Sequence, residues 1–148
     1  MALAADHYSN ERNCEIFCCD HSNEINFPKL TNTKINQFHK TNSTDMFEKM
    51  NKDLKFDFIH LDGGLQKKDF LPLKQIISDN TIFIFDDFEG SEKGVLNFIN
   101  LLNNNVISRN THCLVYPIQK QVAQEYSLNE PSSTAVVLPV SSMTITRQ

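Results

Sequence analysis

Three aspartates hold the densest chemistry in this chain. Asp62 closes the apolar run Phe58-Ile59-His60-Leu61 and is followed by Gly63-Gly64. Asp86 and Asp87 close a second run, Ile82-Phe83-Ile84-Phe85. Carboxylates that gather in one place repel each other unless something neutralises them. A hard divalent cation such as Mg²⁺, which takes oxygen ligands, would do so. The plainer uses of such acids are to cap a helix N-terminus or to bind water. Adjacent Asp86 and Asp87 also need not point the same way. Asp20 closes a third run, CEIFCCD. An acid at a strand end can accept both hydroxyls of a nucleotide ribose, or act as a loop cap or solvated carboxylate.

Whether these acids meet depends on the elements that carry them. Short runs of β-branched and aromatic residues suit strands buried on both faces of a parallel sheet. About twenty residues lie between the two runs, enough for the crossover helix that parallel strands require. Neighbouring parallel strands end at the same rim, where open α/β sheets bind ligands. Asp62, Asp86 and Asp87 are therefore expected together at one rim. Gly63-Gly64 permits a tight turn or a close approach to a ligand. His60, inside an apolar run, reads as a hydrogen-bonded core histidine before a ligand or base. Lys67 and Lys68 read as a solvated loop.

The remaining pattern alternates strand and helix. Residues 2–12 suit a short helix, 14–20 a strand and 34–40 a weaker one. The stretch 21–33, with Phe27-Pro28 inside it, is polar and reads as a loop or a frayed helix. Asn42-Ser43-Thr44-Asp45 offers N-cap chemistry to a helix whose apolar side is Met46, Phe47 and Met50. A strand over 55–61 follows, then a helix from near Asp69 to Ser78, with Pro72 in its first turn. After the strand at 81–86, Ser91 can cap a helix over 92–103 with the stripe Val95, Phe98, Ile99, Leu102. Residues 113–118 and 134–140 are further strands. The expectation is a three-layer α/β fold with a mostly parallel sheet, a single domain over 1–140 and a tail over 141–148.

Bulk properties narrow the class. The chain has 148 residues and a formal charge of −4, with no basic footprint for nucleic acid. No apolar run is long enough to span a membrane. The opening residues lack the pattern of a signal peptide. Cysteines 14, 18, 19 and 113 form no CxxC pair, and read as buried reduced thiols of a cytoplasmic protein.

FDFIHLDGG followed by IFIFDDFEGSEKGV resembles the second half of a class I S-adenosylmethionine-dependent methyltransferase, over roughly residues 14–102. The likeness is greatest to the small-molecule O-methyltransferase and cephalosporin-hydroxylase-like branch. It implies a Rossmann-like sheet whose final strand is antiparallel. It places Asp20 on the cofactor ribose, Asn42 and Ser43 along the adenine, and Asp62 beside the cofactor. In metal-dependent members the cation roles fall on Asp62, Asp86 and Asp87. The implied activity is methyl transfer to an oxygen of a small-molecule acceptor, assisted by Mg²⁺.

Two features depart from the family. Its first strand and glycine-rich turn have no counterpart: the four glycines are 63, 64, 90 and 94, all after Asp20. The fold is thus expected to be N-terminally incomplete. The strands at 14–20 and 55–61 should then pair with each other, or leave open edges that favour homo-oligomers. Leu65 stands where many relatives carry His or Lys. The general base is therefore unassigned, with Lys67, Lys68 and His60 as candidates. The alternative function is a non-catalytic remnant of the fold, serving as a binding or oligomerising module.

Overall fold

A computed structural model describes residues 6–7, 14–20, 29–39, 41–117, 124 and 132–139. The chain divides into two compact units, residues 1–50 and 51–148.

In the first unit, β1 (Cys14–Asp20) and β2 (Thr33–His39) form a two-stranded parallel sheet. The turn into β2 is held by Asp6, whose carboxylate accepts the N–H groups of Thr31 at 3.0 Å and Asn32 at 2.7 Å. Those bonds hold its carboxyl below the ordinary carboxylate value. Residues 6–7 are helical, and the rest of the helix expected over 2–12 lies outside the described residues. Helix α1 (Ser43–Lys49) starts where the cap chemistry indicates: Asn42 Oδ1 accepts the Asp45 N–H at 2.9 Å. Met46, Phe47 and Met50 are its buried side. All four cysteines are half-buried and none forms a disulfide. Burial, and then the charge of Asp20, pushes the Cys18 thiol up.

The second unit contains β3 (Phe58–Leu61), a 3₁₀ turn at Lys67–Asp69, α2 (Phe70–Ile76), β4 (Ile82–Phe85), α3 (Lys93–Asn103), β5 (Thr111–Tyr116) and β6 (Thr134–Pro139). Pro72 lies in the first turn of α2, where its missing N–H costs nothing. Strand order is β3-β4-β6-β5. β3 and β4 are parallel, while β6 runs antiparallel to both β4 and β5. The final strand is thus antiparallel, as expected.

Several expectations are corrected. The strands do not form one mostly parallel sheet. They form two sheets, and the four-stranded one is mixed. Among the described residues β1 has β2 as its one ladder partner and β3 has β4, so each keeps an edge without a strand beside it. β3 is also shorter than 55–61. The Phe56 N–H donates to Ile76 O at 2.9 Å, and the Thr81 hydroxyl donates to Phe56 O at 2.6 Å, so the chain before Phe58 is tied elsewhere.

Burial on both faces is not seen either. Leu61, Phe83, Phe85, Ala135 and Val137 share one face by register and are buried. Phe98 of α3 meets Phe85 edge-on at 5.9 Å on that face, and Leu73, Ile76, Leu101, Val106 and Ile107 are buried too. On the other face Phe58, Leu114 and Tyr116 are exposed.

Helix α3 keeps Phe98 of its expected stripe on the core but is rotated so that the stripe is not its most buried side. Gly94, Asn97 and Leu101 are buried, whereas Ile99 is exposed. Its cap position is Glu92, without a side-chain cap bond, rather than Ser91. Gly94 explains the rotation. A Cβ there would lie 2.1 Å from the Asp86 carbonyl oxygen, so the residue without one is the residue that packs there. Among the described residues no helix is long and apolar enough to cross a membrane.

Candidate active site

β3 and β4 end side by side, joined by the Asp86 N–H donating to Leu61 O at 3.2 Å. Beyond that bond the acids separate into two groups. His60 Nε2 lies 2.7 Å from Asp86 Oδ2, and the Thr134 hydroxyl donates to Asp86 Oδ1 at 3.0 Å. Both carboxylate oxygens of Asp86 are therefore engaged, one by β3 and one by β6. His60 is about one-third exposed, not the core histidine expected from its apolar neighbours. The reason is its place on an edge strand, on the same face as exposed Phe58.

Asp87 turns the other way. Its φ of 53° is left-handed, a conformation that short polar side chains tolerate better than most. Lys93 Nζ lies 3.0 Å from Asp87 Oδ2 and 3.0 Å from Asp62 Oδ1. The hydrogen bond from Lys93, helped by one from Ser132, holds the Asp87 carboxyl below the ordinary carboxylate value. The same pairing, with Asp87 first and Asp62 second, holds the Lys93 ammonium above the ordinary lysine value.

Helix α3 sets the positions of these groups. Gly94 lets its first turn sit against the Asp86 and Asp87 carbonyls. One turn on, buried Asn97 clamps the Gly63–Leu65 loop: its amide donates to Gly63 O at 2.8 Å and its Oδ1 accepts the Leu65 N–H at 2.8 Å. Glu89 fixes the segment after Asp87, since its carboxylate accepts both the N–H at 2.8 Å and the hydroxyl of Ser133. A cleft of about 660 Å³ opens at the opposite end of the sheet, beside Ser78, Thr81, Arg109 and Thr111. Asp62, Asp86 and Asp87 do not line it.

In the first unit, Asp20 ends β1 exposed. Its carbonyl accepts the Thr41 N–H at 3.2 Å, which draws the Asn42-Ser43 segment to the same corner. An exposed carboxylate beside a helix start can accept hydrogen bonds from vicinal hydroxyls. The Asn42 side-chain oxygen is already used on Asp45.

A divalent cation asks more of the rim than the rim provides. It needs its oxygen ligands around a single point, at about 2.0–2.1 Å for Mg²⁺. Asp86 is directed to His60 and Thr134, and Asp62 and Asp87 close on an ammonium instead. Among the described residues, no three of His, Cys, Asp or Glu gather closely enough to hold a metal ion. The acids share a rim, as their strands require, but not a common point.

Lys93, Gly94, Asn97 and Thr134 were not among the residues singled out for chemistry. Positions 93, 94 and 97 share one helical face at the i, i+1, i+4 spacing. A polar Asn within an apolar helix face was the available signal. Thr134 gave none, because its partner is 48 positions away. The sequence matches no protein-family model and no curated protein.

Proposed function

We propose that this chain transfers a methyl group from S-adenosylmethionine to an oxygen of a small-molecule acceptor, on a Rossmann-like methyltransferase fold. The observation that carries the reading is the His60–Asp86 pair at the carboxyl ends of two parallel strands, where open α/β sheets place their ligands. The antiparallel final strand supports it too.

A carboxylate on Nε2 holds that nitrogen's proton and leaves Nδ1 with a lone pair, the form a general base needs. His60 takes the acceptor hydroxyl proton on Nδ1, and Asp86, braced by Thr134, steadies the imidazolium that results. Lys93 offers the acceptor oxygen a positively charged donor, since an ammonium has three N–H groups and two face carboxylates. Asp20 would hold the cofactor ribose, and Asn42 and Ser43 its adenine. When bound, S-adenosylmethionine supplies a methyl group activated by its sulfonium. No step needs a metal, and the donor arrangement at the rim does not suit one.

Titration calorimetry with S-adenosylmethionine tests the reading. Addition of S-adenosylmethionine to the wild-type chain should give saturable heat. Asp20→Ala should abolish the heat and His60→Gln should leave it. A wild-type chain that gives no heat at any accessible concentration sinks methyl transfer. Among the described residues β1 and β3 each keep an edge without a strand beside it, which favours the second reading in that event, a binding or oligomerising module. Analytical ultracentrifugation would then show association.

A further inference from the structure

We infer that Lys93 is a built-in cation: its ammonium takes the position between Asp62 and Asp87 that a divalent ion would otherwise fill, and so keeps the rim metal-free. Its contacts of 3.0 Å to each carboxylate are ammonium distances, longer than the about 2.0–2.1 Å that Mg²⁺ requires. A divalent ion cannot enter while the ammonium stays, because like charges so close repel strongly.

Helix stability does not account for this lysine. Lys93 is the first residue of α3, whose first turn has no acid of its own. A cation at a helix N-terminus faces the positive end of the macrodipole, which disfavours it. Its acidic partners lie on two other segments, after β3 and after β4, and both segments are fastened to the same helix. Gly94 seats α3 on the Asp86 and Asp87 carbonyls. Asn97 clamps the loop that follows Asp62. Ammonium and carboxylates are therefore set by one element. The raised Lys93 and the lowered Asp87, each shifted mainly by the other, agree with that tether.

Removing the ammonium should leave Asp62 and Asp87 facing a position of negative potential. Lys93 would keep this role whatever reaction the rim carries, so failure of the cofactor titration leaves it standing. The test is a Mn²⁺ titration of the full chain, with the free ion followed by electron paramagnetic resonance. Lys93→Met should bind Mn²⁺ at least about tenfold more tightly than wild type, a difference of about 1.4 kcal/mol by conversion. Adding Asp62→Asn should remove the gain, and Lys93→Arg should behave as wild type. Lys93→Gln is measured in parallel, with circular dichroism to confirm folding, so that one misfolded variant does not decide the outcome. Wild type binding Mn²⁺ as tightly as the neutral variants overturns the inference. So does the absence of any gain in both neutral variants.

Discussion

The chain uses one sequence device in both units, an apolar strand closed by aspartate, and gets two different ends from it. At the end of β1, Asp20 is exposed, and the corner is held through its backbone carbonyl and the Thr41 N–H. At the ends of β3 and β4, the carboxylates are held by partners: Asp86 by His60 and Thr134, Asp62 and Asp87 by Lys93. The difference comes from what packs behind. β1 has no fully buried residue, whereas β4 alternates into a closed core and α3 lies across its end. The helix after a strand, more than the acid that ends it, decides what that acid can do.

The comparison breaks first at Gly94. A β-carbon there would sit 2.1 Å from Asp86 O and 2.8 Å from Asp87 O. Neither atom belongs to a flexible side chain, so the helix itself has to move. Gly94→Ala should cost more than the about 1–3 kcal/mol usual for overpacking in urea denaturation of the second unit. It should also part Lys93 from its acids. A loss under about 1 kcal/mol would show that α3 slides freely and does not fix the rim.

Two asparagines sharpen it next. Asn97→Ala removes a buried side chain and with it the two part-buried hydrogen bonds to Gly63 O and the Leu65 N–H, and should cost about 2 kcal/mol. Asn42→Ala removes one exposed cap of α1 and should cost about 1 kcal/mol. Equal losses, measured by denaturation under the same conditions, would mean that the two corners are held alike.

Much of this was legible in the sequence, and the limits have physical causes. The strands ending at Asp20, Asp62 and Asp86 could be read because apolar runs closed by polar turns are local signals. The Asn42 cap was local too. The division into two sheets was not legible, because ladder partners are chosen across long separations and propensity does not encode them. The orientation of α3 was hidden for another reason. A hydropathy stripe weighs Val95 and Ile99 and gives nothing to Gly94, yet close approach to the Asp86 and Asp87 carbonyls fixes the rotation. His60 was misjudged because its neighbours are apolar, although its strand lies at an edge. The three acids were rightly placed on one rim. Their separation follows from the left-handed Asp87 and from Lys93 on the following helix, neither of which strand periodicity reveals.

The smallest expected effect reads the Lys93 tether by pH. Lys93 lowers Asp87, so Asp87 stabilises the fold above its ordinary value of 3.8, and that contribution is lost as pH falls through the lower folded value. Lys93 is raised above its ordinary 10.5, so its contribution is whole below that value and is lost as pH rises through the higher folded one. Between these arms wild type should be slightly more stable than Lys93→Met, and the gap should close at both ends. Both groups are partly exposed to solvent, so added salt should narrow the gap even at neutral pH. Melting temperatures of the two proteins, taken across acid, neutral and alkaline buffers at low and high salt, provide the measurement. A gap that persists unchanged into acid below Asp87's titration would mean that the lysine acts by packing its stem, not by its charge.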